Sequence, residues 1–163
     1  MINLDSLEKI NPAEGLKNIP KKTGIYFWFK NDTHELVYIG TGSGKNGLYN
    51  RIVRQHLNPK YIEFREEKHS SKDFFQLQNP IMKVVKGELK PGIDQSVFRR
   101  NIGRNFNIKP GEGTVNFIKE NLYLKYFEVT DINELQELEK KMIAKYDPKL
   151  NINHKYKISN RKL

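Results

Sequence analysis

Gly24-Ile25-Tyr26-Phe27-Trp28-Phe29-Lys30, then Asn31-Asp32-Thr33-His34, then Glu35-Leu36-Val37-Tyr38-Ile39-Gly40: this run decides the fold. GIYFWFK is aromatic and β-prone and reads as a strand. The four polar residues after it are turn chemistry, and ELVYIG is a second apolar strand, so the two predict an antiparallel hairpin. Working outward, TGSGKNG at 41–47 is a glycine-rich loop leading into a helix over 48–57. Upstream, residues 4–10 read as a short helix. Downstream, Pro59, Pro80, Pro91 and Pro110 punctuate a stretch in which only 95–106 has a helical pattern, with Phe98, Ile102 and Phe106 four apart. Residues 114–121 then read as a helix, 122–129 (LYLKYFEV) as a third strand and 131–146 as a long helix. Asp131 and Glu134 form a capping box at the start of that last helix, and Pro148 closes it.

The chain has 163 residues, no cysteine and a formal net charge of +10. That length suits one domain, 1–163, in which 58–121 reads as an insertion on the core and 152–163 as a basic tail. From Lys145 onward six basic residues face Asp147 alone, so half the net charge lies at this end. A basic balance favours a polyanion, because Lys and Arg that neutralise phosphates release condensed counterions; the alternative is a surface kept soluble by charge. Without cysteine there is no thiolate nucleophile, disulfide or Cys-built zinc site, and His34, His56, His69 and His154 are too scattered for a zinc cluster. No apolar run has the length of a membrane span, and the start lacks a basic-then-apolar leader. The expectation is a cytoplasmic protein with no membrane partner.

Glu139 is the most informative single residue. At about 100° per residue, Leu135, Leu138, Met142, Ile143 and Tyr146 share one face of the last helix, and Glu139 falls in the same stripe. A carboxylate aimed at the core needs a metal, a cation or a strong hydrogen-bond set; the plain alternative is an ion pair with a structural Arg or Lys.

Gly24-Ile25-Tyr26 and Tyr38-Ile39-Gly40 place two phenols on neighbouring strands, with glycines permitting close backbone approach. Together with Arg51 on the following helix, and with Glu139, Pro148 and Asn151 in LEKKMIAKYDPKLN, they resemble the GIY-YIG nuclease superfamily over 23–56 and 122–151. The resemblance implies an α+β fold, a three-stranded antiparallel sheet flanked by helices, to which 58–121 would be a family-atypical insertion. It also implies hydrolysis of DNA to 5′-phosphate and 3′-hydroxyl ends with one divalent ion, Mg2+ or Mn2+, held by Glu139. The residue types suit those roles. One carboxylate plus waters and a phosphate oxygen is a ligand set magnesium tolerates. The planar fork of Arg51 suits a nonbridging phosphate oxygen. Either Tyr26 or Tyr38 would position or deprotonate the attacking water, and the resemblance leaves open which.

The chain departs from the family's pattern in two places near the site. The family often has a His four residues after the helical Arg, but here that position is Gln55, and His56 lies five on, about 140° around a regular helix. On that geometry Arg51 and His56 share a site only if the helix is distorted. Where some members have Lys directly after YIG, this chain has Thr41, and Lys45 in the loop is a substitute or a plain surface charge.

Arg54, Arg99, Arg100 and Arg104, with Lys45, are the candidate nucleic-acid contacts. The stretch 96–110 carries Arg99, Arg100, Arg104 and Lys109 with no acid, so it reads either as a backbone-tracking face or as solvated surface. A P-loop at 40–45 is discounted, being one residue short and having Asn46 where a magnesium-binding Ser or Thr belongs. The rival from another class is a DNA-binding module with no active site. Double-stranded DNA is the expected partner, and the oligomeric state stays open.

Overall fold

A computed structural model describes residues 2–65 and 81–151. Strands β1 (Gly24–Lys30), β2 (Leu36–Gly42) and β6 (Leu122–Glu128) form an antiparallel sheet in the order β2-β1-β6. Tyr26 pairs with Gly40 on one side and Tyr126 on the other. The central strand is buried on both faces, which is why it reads as an unbroken apolar run instead of an alternating one. Ile25, Phe27 and Phe29 pack under α4 (Ile132–Tyr146) against Leu135, Met142 and Ile143. Tyr26 and Trp28 face the other layer, with Leu48, Ile52, Phe98, Ile102 and Ile118.

That second layer begins with α1, a turn of α-helix at Gly47–Tyr49 that continues as π-helix over Asn50–His56. It also holds α2 (Val97–Phe106) and α3 (Glu112–Asn121). α2 contributes directly to the core: Phe98 stacks on Trp28 at 5.4 Å and on Tyr38 at 4.4 Å between ring centroids. Between α1 and α2 lies a second antiparallel sheet, β3-β5-β4, made of β3 (Ile62–Phe64), β4 (Met82–Val85) and β5 (Glu88–Asp94). The β4–β5 hairpin turns at Lys86-Gly87, both at positive φ (50° and 81°), as a two-residue turn between right-twisted strands requires.

Several expectations are corrected. Residues 4–10 hold only a 3-10 turn at Leu4–Ser6, and Ile10 instead bridges to Leu124 along the outer edge of β6. Tyr146, placed on the apolar stripe of the last helix, is 37% exposed. The capping box is present: the Asp131 carboxylate accepts from the Glu134 amide at 2.9 Å. His69, His154 and the basic tail at 152–163 lie outside the described residues. Among the described residues no helix is long and apolar enough to cross a membrane.

Candidate active site

One cleft of about 470 Å³ is lined by Tyr26, Tyr38, Arg51, His56, Glu139 and Asn151, brought together from β1, β2, α1, α4 and the segment after it. The backbone is tight here. Tyr26 lies across Gly40, and a Cβ at that position would overlap the phenol hydroxyl; one at Gly24 would meet the Phe127 carbonyl and the Leu48 side chain. Gly40 is thus the condition for packing the Tyr26 phenol against the next strand, and Gly24 the condition for the close approach of β6 and Leu48.

Asn151 acts as a clamp. Its Oδ1 accepts from the Ile39 amide at 2.9 Å and its Nδ2 donates to the Ile39 carbonyl at 2.8 Å. The amide thus satisfies both backbone groups of a residue on the outer strand β2 and holds Tyr38 and Gly40 in register beside it. Leu150 adds a bond from its amide to Val37 O at 2.9 Å. From the other side Asn101, on α2, donates to Leu150 O at 2.8 Å.

The π-helix changes the relation between Arg51 and His56. Leu57 N bonds Ile52 O at 3.0 Å, the i→i+5 pattern, in which a residue five positions on lies roughly one turn away. The 140° separation expected of a regular helix is therefore corrected, and both side chains line the cleft. Arg51 is exposed and donates to Gln55 Oε1 at 3.0 Å. His56 is buried: its Nε2 lies 2.5 Å from the Tyr26 hydroxyl and its Nδ1 2.8 Å from Ser96 Oγ.

Electrostatics follow from burial. Desolvation pushes the Tyr26 phenol well above its usual pKa, with Tyr38 and Glu139 adding to the rise and Arg51 opposing it. Tyr38 is raised to about 12, by burial first and Glu139 second, again opposed by Arg51. Burial, then the cations Arg51 and Arg99, push the His56 imidazole well below its usual value. Glu139 is raised by burial, with Arg51 and Lys140 pulling the other way. The carboxylate thus sits where its charge is poorly solvated and Arg51 is the principal cation compensating it.

The structure separates the candidate nucleic-acid contacts. Arg99 is a correction: it is fully buried, and it donates from Nε and a terminal nitrogen to Asp94 Oδ1 at 3.1 and 2.8 Å, to Tyr61 O at 2.8 Å and to Asn58 O. It ties the end of α1 to the end of β5 and cannot reach a phosphate. Arg100 and Arg104 are partly buried, with bonds to Asp94 O at 3.4 Å and Asn101 Oδ1 at 3.1 Å. Lys45 and Arg54 are exposed and do not line the cleft, and Arg54 lies over the Tyr49 ring at 5.5 Å. Thr41, not Lys45, lines the cleft.

Ser96 and Asn101 were not singled out from the sequence. Ser96 carries an N-cap signal, which its bond from the Arg99 amide fulfils at 3.2 Å, but its bond to His56 spans forty residues.

Among the described residues no group of three or more His, Cys, Asp or Glu side chains could hold a metal ion. Among the described residues Glu139 is the one carboxylate lining the cleft, half-buried and with its proton affinity raised. No curated protein matches the chain. The family model described as the GIY-YIG catalytic domain does, over residues 7–163. Because that match runs through nearly the whole chain and includes both tyrosine strands, Arg51, Glu139 and Asn151, the chain belongs to the GIY-YIG family of nuclease-type catalytic domains.

Proposed function

We propose that the protein is a divalent-metal-dependent endonuclease that hydrolyses phosphodiester bonds in double-stranded DNA, leaving 5′-phosphate and 3′-hydroxyl ends. The observation that carries this reading is the convergence of the Glu139 carboxylate, the Arg51 guanidinium and the Tyr26 and Tyr38 phenols on one cleft. A single carboxylate on an open wall fits Mg2+, which keeps several waters and takes one or two carboxylates, and the same oxygen donor suits Mn2+. When bound, such an ion supplies Lewis-acid stabilisation of charge on the phosphate and on the leaving 3′ oxygen.

The other roles belong to the chain itself. Arg51, exposed at the cleft, grips a nonbridging phosphate oxygen with its planar fork. The two phenols orient the attacking water. Both are raised by burial, so neither gives up its proton unaided at neutral pH, and Arg51 is the cation that opposes the shift in each. His56, bonded to Tyr26, and Asn151, clamping Ile39, hold the tyrosine strands in place from the cleft wall. Lys45, Arg54, Arg100 and Arg104 contribute positive charge around the cleft for the DNA backbone.

Incubating the purified protein with supercoiled plasmid and Mg2+ or Mn2+ tests the reading. Nicking that disappears in chelator is the expected result. Plasmid binding without nicking under every metal condition would instead identify a DNA-binding module with a silent active site.

A further inference from the structure

The buried polar groups behind the two tyrosines form a chain that has a direction. His56 is flanked by Ser96 on Nδ1 and by Tyr26 on Nε2. Its burial, with Arg51 and Arg99 nearby, keeps the ring neutral, so only one of its nitrogens carries a proton. Ser96 decides which. It is 3% exposed, and among the described residues its Oγ has two partners, the Arg99 amide and His56 Nδ1. The Arg99 amide is a donor, so the serine proton has one acceptor in reach. If Nδ1 carried the ring proton, the Ser96 hydroxyl proton would be buried with no acceptor, an arrangement folded proteins avoid.

We infer that Ser96 donates to His56 Nδ1 and thereby fixes the imidazole as its Nε2–H tautomer, so that His56 donates to the Tyr26 oxygen. The Tyr26 O–H is then turned away from His56, toward Tyr38 and the cleft. In this arrangement His56 does not take the Tyr26 proton. It places an N–H on the phenol oxygen, which stabilises negative charge developing there when that proton is drawn off. Ser96 and His56 are positioning residues acting through Tyr26. The tautomer stands on the geometry alone; its consequence for turnover rests on the nuclease reading above.

The test uses the full chain with ring-15N-labelled histidine at neutral pH, the His56 signals being assigned with His56→Gln. Long-range 1H–15N correlation is expected to show Nε2 protonated and Nδ1 bare, and a proton on Nδ1 in the unaltered protein overturns the inference whether or not the protein cuts DNA. Two variants then separate capping from proton placement. Ser96→Thr keeps the hydroxyl and should keep the tautomer and the nicking rate. Ser96→Asp still caps α2 through the Arg99 amide but has no proton to give, so Nδ1 becomes protonated. Its kcat should fall roughly tenfold or more, with KM close to the unaltered protein. A bare Nδ1 in Ser96→Asp, or full turnover despite the switched tautomer, contradicts the positioning role. Nicking absent from the unaltered protein, with the expected spectra, sinks the nuclease reading and leaves the tautomer assignment intact.

Discussion

At the scale of single residues, the site is a balance between burial and one cation. Glu139, Tyr26 and Tyr38 are all pushed toward their protonated forms by desolvation, and Arg51 opposes that push in each case. On the proposed reading Arg51 both compensates the cleft and meets a phosphate. Arg51→Lys keeps the charge but loses the fork, and an ammonium is a point donor where two parallel bonds are needed. Turnover should fall by at least one to two orders of magnitude while folding is unaffected, since the residue is exposed and bonds only Gln55 among the described side chains. Nicking rates and melting curves on that variant check it. Near-normal turnover would remove Arg51 from the phosphate. Arg99 shows the opposite case, where the same residue type is structural. A buried pair of this kind typically loses about 3–5 kcal/mol when one partner is removed, so its charge holds the fold and not a ligand.

Among the elements, α1 carries the least expected feature. Its π-helical stretch lets Arg51 and His56, five residues apart, serve one cleft. π-helical turns occur mostly as local bulges in α-helices and often at functional sites. Deleting the exposed Arg54 should let the segment relax to a regular α-helix with His following Arg51 by four, keeping Ile52 in the core. The shortened protein is expected to fold with a melting temperature at or above the original, read by thermal circular dichroism. Failure to fold would mean the π-helical register is required for packing.

The hairpin of β1 and β2 was legible because its central strand is buried on both faces and is followed by polar turn residues. Glu139 was legible because helical periodicity places it among Leu135, Met142 and Ile143. The β3-β5-β4 sheet was not: β3 is three residues long, Pro91 sits inside β5, and the turn is Lys-Gly instead of the stronger Asn-Gly. Arg99 read as a surface charge because the window without acids begins at Ser96, two residues beyond its buried partner Asp94. The Arg51–His56 and His56–Ser96 relations were hidden for different reasons. The first needs i→i+5 bonding that no composition rule signals, and the second joins residues forty apart in the chain.

Taken as a whole molecule, the chain sets a half-buried carboxylate in the wall of a cleft on a protein of net charge +10. α4 carries that carboxylate and the Asn151 clamp after it holds β2, so Glu139 lines the same cleft as Arg51 and the two phenols. The central claim is that this carboxylate holds the metal and does not serve as a structural ion pair. The direct measurement is plasmid nicking by Glu139→Gln in Mg2+, with DNA affinity and melting temperature taken on the same preparation. The account predicts a loss of two or more orders of magnitude in nicking, since metal stabilisation of the transition state is worth several kcal/mol. Affinity should be kept or increased, and the metal-free protein should melt no lower than the original, because the amide relieves a poorly solvated charge. A Glu139→Gln protein that melts lower yet still nicks at the original rate would contradict it.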